Sequence, residues 1–278
     1  MLNAAGVWFE YDAGKPVLRG VNVDVPRSAI VGILGPNGSG KTTLLRLLAG
    51  TRKPQRGAVT LDGAPLAGFS RAAVARRMAV VPQETQLAFD YTVAEVAMMG
   101  RYAHLGAFEI EGPSDAAIVD RALEATGTLP FKDRAFATLS GGEKQRVIIG
   151  AALAQISAAE FRLKAEATGS NGGYLLLDEP TASLDLGYQL EVADLLRRLH
   201  GDRGVSIVIS THDLALAGAL CERVVMMRDG VVVAAGGAND TLTPANVRDV
   251  YGVEVDVLHH ASGRRVLVPT ARSAPGRP

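Results

Sequence analysis

The sequence predicts an α/β protein with a mainly parallel sheet, and three observations carry that prediction. A glycine loop, Gly35-Pro36-Asn37-Gly38-Ser39-Gly40-Lys41-Thr42, directly follows the apolar run Ala29–Leu34 and opens a helical pattern. Further apolar runs at Met78–Val81, Tyr174–Leu177, Val205–Ser210 and Val224–Met227 are short and do not alternate, as strands buried on both faces require. Helical patterns lie between them, notably Lys41–Ala49, Gly142–Ile156 and Gly187–His200.

In chain order, Gly20–Val25 and Gly57–Leu61 look antiparallel, so the N-terminal part is expected to be a mixed sheet. Ala29–Leu34 is the strand before the glycine loop, and the helix from Lys41 should stop near Gly50. From Thr85 to Leu139 the composition shifts to helix formers, Val93–Met99 and Ala116–Ala125, without a convincing buried strand. This reads as a helical subdomain inserted into the α/β core. The expected division is a core of residues 1–84 and 174–256 with the subdomain at 85–173, all within one domain of residues 1–270. The end, Ala271–Pro278, carries too little apolar surface to fold and is expected to be disordered. No internal repeat is visible.

Composition excludes several classes. Lysine plus arginine equals aspartate plus glutamate at 29 each, so no polyanion-binding surface and no nucleic-acid partner is expected. The single cysteine, Cys221, rules out an intramolecular disulfide framework, and its expected role is that of a small buried hydrophobe. No stretch reaches the roughly 18 apolar residues of a membrane span. Glu10 and Asp12 interrupt any signal-like core, so a cytosolic protein is expected.

The glycine loop has the chemistry of a phosphate cradle. Glycines let the backbone turn sharply and approach closely, so that successive N–H groups can face anionic oxygens. Lys41 supplies a point charge for the β- and γ-phosphates, Thr42 a hydroxyl for Mg²⁺, and the helix start a favourable dipole. Tyr174–Leu177 then runs into Asp178 and Glu179. Neighbouring side chains at a strand end point apart, so Asp178 is expected to hold Mg²⁺ with Thr42 while Glu179 polarises the attacking water. Ser140-Gly141-Gly142, at the start of another helix, forms a second anion-binding surface that one nucleotide does not need.

Together these segments resemble the ATP-binding cassette ATPases over nearly the whole chain, and in the family's order. Gly35–Thr42 resembles the Walker A loop, with Thr43 next to it among the expected nucleotide-binding residues, Gln83 the Q-loop glutamine, Leu139–Glu143 the signature and Tyr174–Glu179 Walker B. Ser183-Leu184-Asp185 resembles the D-loop, His212 the H-loop histidine, and Tyr11 the aromatic residue that stacks on adenine. The resemblance implies a P-loop NTPase core, ATP and Mg²⁺ as ligands, and a homodimer closing head to tail over two ATPs. Ser140, Gly141 and Gly142 would then contact the γ-phosphate held by the other copy's Lys41, with Asp185 at the seam. It further implies that His212 orients the attacking water and that Gln83 joins and leaves the metal shell.

Phe89–Arg101 and the region from Gly236 to Val253 resemble the ATPases of importers for iron-siderophores, haem and cobalamin. That branch implies a peripheral subunit on the cytoplasmic face of the inner membrane. Its partners would be a dimeric integral-membrane permease, docked on Phe89–Arg101, and a substrate-binding protein. Two features depart from the family. An extra segment, roughly Ser157–Gly173, reads as a lengthened signature helix and a surface loop, and Gly150-Ala151-Ala152-Leu153 lacks the arginine usual there. The rival readings are the same engine on another permease or in the export direction, and a soluble cassette ATPase of DNA maintenance or translation. The latter is disfavoured by a single cassette, no coiled-coil insertion and balanced charge.

Overall fold

The computed structural model describes the chain except for Gln86, residues 158–171, Ser183, residues 260–264 and residues 273–278. The chain divides into two compact units, Met1–Ala67 with Val208–Pro278, and Gly68–Ile207.

The first unit begins with β1 (Leu2–Glu10) and β2 (Pro16–Val25), which pair antiparallel, Leu2 opposite Val25. After β3 (Ile30–Leu34) and α1 (Lys41–Leu48) come β4 (Arg56–Leu61) and the short β5 (Ala64–Pro65). These complete an antiparallel sheet ordered β2-β1-β4-β5. Burial alternates along β1 and β2, the period-two signature of a sheet with one face on a core, except for three-residue steps at irregularities in their pairing, between Ala4 and Val7 in β1 and between Leu18 and Val21 in β2. All five residues of β3 are buried, as its unbroken apolar run predicts.

The second unit runs through α2 (Arg71–Ala75), β6 (Met78–Val81), α3 (Val93–Met98) and a 3₁₀ segment at Met99–His104. It continues through α4 (Pro113–Ala125), α5 (Gly141–Ile156), β7 (Tyr174–Asp178) and α6 (Leu186–Arg203). β6 and β7 pair in parallel, Met78 with Tyr174 and Val81 with Leu177. The division differs from the expected one. β6, β7 and α6 belong with the helices because α5 packs against all three. The expected lengthening of α5 is not present: the helix ends at Ile156 and Ser157 turns to extended backbone at φ −80° and ψ 118°, and residues 158–171 of the extra segment lie outside those described.

The chain re-enters the first unit within β8 (Ser206–Thr211) and continues through α7 (Leu214–Leu220), β9 (Arg223–Arg228) and β10 (Val231–Gly237). β3 lies between β8 and β9, pairs in parallel with β9, and β9 pairs antiparallel with β10. After α8 (Ala238–Thr241) and α9 (Pro244–Tyr251) comes a hairpin of β11 (Val253–His259) and β12 (Arg265–Arg272). The hairpin corrects the expected tail. Ala271 and Arg272 pair with Glu254 and Val253 as the last residues of β12, and the rest of the expected disordered segment lies outside the described residues. Cys221 is buried, its Sγ only 2.8 Å from where a Cβ on Gly32 would sit. Burial, and secondarily the Glu222 charge, push its thiol up to about 12, so it is a packing residue.

Candidate functional site

In the first unit the buried β3 ends at Leu34 and delivers the chain into the loop Gly35–Gly40. A Cβ on Gly35 would stand 2.3 Å from the Met227 carbonyl oxygen and 2.5 Å from Ser39 Oγ, so only glycine fits. Gly38 and Gly40 take φ of 81° and 100°, a backbone that turns the loop back over the start of α1. Lys41 is 5% exposed, and its Nζ donates to the carbonyls of Gly35 at 2.9 Å and Pro36 at 3.3 Å. Its ammonium is thus folded into the loop that it would share with a phosphate. Ser39 is 2% exposed, and its Oγ has no partner among the described residues. A buried hydroxyl without a partner inside a glycine cradle is what a phosphate-binding loop holds ready for a ligand oxygen.

Tyr11 follows β1 and reaches the same helix. Its hydroxyl lies 3.3 Å from Thr43 Oγ1 and accepts from Arg46 at 3.0 Å, while its ring stands edge-on to Phe9 with centroids 4.9 Å apart. Burial alone would raise the phenol, but these hydrogen bonds and the charges of Arg46 and Arg52 outweigh it and hold the phenol below its ordinary value. Tyr11 is 48% exposed, and the Arg52 guanidinium lies over its ring at 6.0 Å from the centroid. His212 follows Thr211 at the end of β8, the strand beside β3. The turn carrying it is fixed by Asp213, whose backbone N–H donates to Thr211 Oγ1 at 3.0 Å. The Asp213 carboxylate caps α7 by accepting from Ala215 at 2.8 Å and Leu216 at 3.0 Å.

In the second unit β7 is buried throughout and ends in Asp178, 8% exposed. Glu179 follows at φ 46°, left-handed backbone that a glutamate enters only under constraint. The constraint is local. Ala182 N–H donates to the Glu179 carbonyl at 3.2 Å, and the Gln189 side chain donates to the carbonyls of Thr181 at 3.3 Å and Leu184 at 3.0 Å. Asp185 caps α6 by accepting from Tyr188 N–H at 3.1 Å. Ser183 lies outside the described residues.

Ser140 starts α5 with a capping box, accepting from Glu143 N–H at 3.3 Å while its own N–H donates to the Glu143 carboxylate at 2.8 Å. These bonds, the one from the Ser140 backbone first, hold Glu143 below the usual carboxylate range. The α5 and α6 starts are packed together. A Cβ on Gly142 would lie 2.3 Å from the Tyr188 ring, and one on Gly141 would lie 3.5 Å from Leu184. Gln83, two residues beyond β6, is exposed.

The first unit therefore gathers Tyr11 and Gly35–Thr43, with His212 in the turn just past β8, the strand next to β3. The second gathers Ser140–Gly142 with Asp185 beside the turn that carries Glu179. Pro36 and Asn37 form the outer, partly exposed part of the loop. No group of three His, Cys, Asp or Glu able to hold a metal occurs among the described residues.

Sequence reasoning missed several supporting residues. Asp213 was legible as an N-cap, and Arg46 as a partner of Tyr11 only through the tertiary structure. Arg101 corrects an expectation. Assigned to the exposed docking segment, it is instead 3% exposed and paired with Asp115 at 2.9 Å, although Phe89 in that segment is 73% exposed. No described helix is long and apolar enough to cross a membrane.

Comparison with known proteins gives one consistent answer. The pattern of the ABC transporter family matches residues 18–159. The hemin import ATP-binding protein HmuV of Pseudomonas putida is 39% identical over 270 residues, covering 97% of this chain and 100% of that protein. HmuV of Gloeobacter violaceus is 39% identical, covering 94% and 90%. The cobalamin import ATP-binding protein BtuD of Halobacterium salinarum is 38% identical over 92% of this chain, which spans 61% of that protein's length. Among solved structures, an inward-facing transporter assigned to the metal-chelate ABC type aligns with a TM-score of 0.80 at 25% identity, covering 97% of both chains. A dimeric bacterial ABC transporter cassette aligns at 0.68 with 26% identity, over 86% of this chain and 99% of that one.

Proposed function

From a chain that belongs to the ABC transporter family of ATPases, we infer an activity: ATP hydrolysis that drives uptake of a metal chelate through a membrane permease. The observation that carries the ATPase reading is the loop of the first unit, with Lys41 buried in it and the orphaned Ser39 hydroxyl inside. Gly35–Thr43 binds the phosphates and the Tyr11 ring stacks on adenine. Thr42 and Asp178 would hold Mg²⁺ with Gln83 at its edge, and the cation would neutralise developing phosphate charge. Glu179 draws a proton from the attacking water, and His212 orients that water. Ser140, Gly141 and Gly142 complete the site of a second copy, with Asp185 at the seam of the homodimer.

Haem is the favoured chelate, ahead of cobalamin and iron-siderophores. The support is that the haem-import relatives match along nearly their whole length, whereas the cobalamin relative extends well beyond this chain. In this reading the subunit sits on the cytoplasmic face of the inner membrane, against a dimeric permease served by a substrate-binding protein. The test is uptake into proteoliposomes carrying this chain, its co-purified permease and the cognate binding protein, with Mg-ATP enclosed. Hemin accumulation that disappears with Glu179→Gln is the expected result. Accumulation of cyanocobalamin alone would move the assignment to cobalamin, and no accumulation of any chelate would overturn the importer reading.

A further inference from the structure

Helix α5 begins at the capped Ser140 and ends sixteen residues later at Ile156, with no basic residue in its own last turn. Its last carbonyls need donors, and the negative end of its dipole favours cations. Both come from outside the helix. Arg101, 3% exposed, donates from one guanidinium nitrogen to the carbonyls of Ala154 at 2.7 Å and Ser157 at 2.8 Å. Its Nε donates to Asp115 at 2.9 Å, and the same carboxylate accepts from Gly112 N–H at 3.1 Å in the cap of α4. His104 Nε2 lies 2.7 Å from the Gln155 carbonyl.

The segment carrying both residues is pressed onto α5 without slack. A Cβ on Gly100 would lie 2.2 Å from the Ala151 carbonyl oxygen. Arg76 Nε holds the same segment through the Ala103 carbonyl at 2.7 Å. Gln155 in turn donates to the carbonyls of Ala75 and Met78, each at 3.0 Å, tying the helix end to the start of β6. This is a buried, charge-assisted clamp on one end of a rod about 24 Å long, whose other end is the Ser140–Gly142 turn.

We propose that Arg101 and His104 are positioning residues that cap α5 from the Met99–His104 segment and thereby set where Ser140–Gly142 stands when it meets a phosphate. The inference rests on the reading that this turn contacts nucleotide, and it adds a specific consequence. A shift of the Met99–His104 segment is carried along α5 to the phosphate-contacting turn, while the nucleotide loop of the first unit is untouched.

The test compares wild type with Arg101→Met, Arg101→Lys, His104→Gln and His104→Phe. The readouts are affinity for a fluorescent ATP analogue, the kcat of Mg-ATP turnover, and amide hydrogen exchange at both ends of α5. Arg101→Met is expected to leave nucleotide affinity within about twofold and to lower kcat at least about tenfold, the scale of a remote misplacement. Exchange should accelerate at residues 141–147 as well as at 150–157. Arg101→Lys keeps the charge but cannot span three acceptors, so it should behave like Arg101→Met and serves where the methionine variant does not fold. His104→Gln retains an N–H donor and should keep at least about half of the wild-type kcat, whereas His104→Phe should not.

An unchanged kcat in both Arg101 variants, with faster exchange only at 150–157, would reduce the clamp to a local cap and overturn the proposal. So would parallel losses of affinity and kcat. Absence of turnover in the wild type would instead remove the ATPase reading, and exchange at the two helix ends would still decide the mechanical claim.

Discussion

Gly35→Ala separates close packing from backbone strain within a single loop. The added methyl would stand 2.3 Å from the Met227 carbonyl oxygen on one side and 2.5 Å from Ser39 Oγ on the other. A carbon and a carbonyl oxygen normally approach no closer than about 3.3 Å, so the loop or β9 must yield by about 1 Å. Neither is free to do so, because β9 is paired in register with β3, Leu34 beside Met226. Overpacking of this kind costs about 1–3 kcal/mol, and the upper end applies because the obstacle is backbone. Gly38→Ala is the internal control. Its Cβ meets nothing within 4 Å, leaving only the cost of a side chain at φ 81°, about 1–2 kcal/mol. Urea unfolding should therefore rank the variants wild type, Gly38→Ala, Gly35→Ala. Binding of a fluorescent ATP analogue should fall at least about tenfold in Gly35→Ala, as expected for a displaced contact loop. A Gly35→Ala protein with wild-type unfolding and affinity would refute the packing argument.

Glu179→Asn should lower turnover by about 10²–10⁴, the worth of a general base. It should also raise the unfolding midpoint, since asparagine accepts the φ of 46° more readily. Turnover and denaturation of the same preparation read both effects. Tyr11→Phe should keep nucleotide affinity within about threefold while Tyr11→Ala loses the stacking surface, worth about 1–3 kcal/mol per base; titration with the ATP analogue distinguishes them. His104 predicts a pH effect. Burial first, then the charges of Arg101 and Arg76, lower its pKa against the opposing Gln155 hydrogen bond and Asp115 charge. A histidine depressed in the folded state contributes stability that is present above its unfolded value, near 6.5. That contribution is lost as pH falls through the folded value. Thermal midpoints should therefore drop on acidification from about pH 7 to 5, and His104→Gln should flatten that drop. The lowered carboxylates Asp62, Glu95, Asp115 and Glu143 act in a more acidic window, as each is protonated.

What the sequence disclosed follows from how local each signal is. β3, β6 and β7 are continuous apolar runs, and the structure places them within a residue of their expected limits. Ser140 and Glu143 write the capping box of α5 into the sequence directly. The β11–β12 hairpin was also legible in principle. Val255 and Val257 alternate with polar residues, and Val255 and Leu267 are buried, but the proline, glycine and arginine content downstream obscured it. Arg101 could not have been placed from sequence. It sits in a segment that mixes exposed Phe89, Asp90 and Glu95 with buried Val93, Val96 and Ala97, and its partners Asp115, Ala154 and Ser157 are brought to it only by tertiary packing. The strained φ of Glu179 is likewise imposed by the turn into α6 and has no counterpart in residue type.

The most direct test of the account is sedimentation of the Glu179→Gln protein with and without saturating Mg-ATP. A nucleotide sandwiched between the glycine loop of one copy and the Ser140–Gly142 turn of another predicts a species of twice the monomer mass only when ATP is present. It also predicts loss of that species in Ser140→Arg. A protein that stays monomeric while binding ATP, or dimerises equally without it, would contradict the shared site on which the proposed mechanism depends.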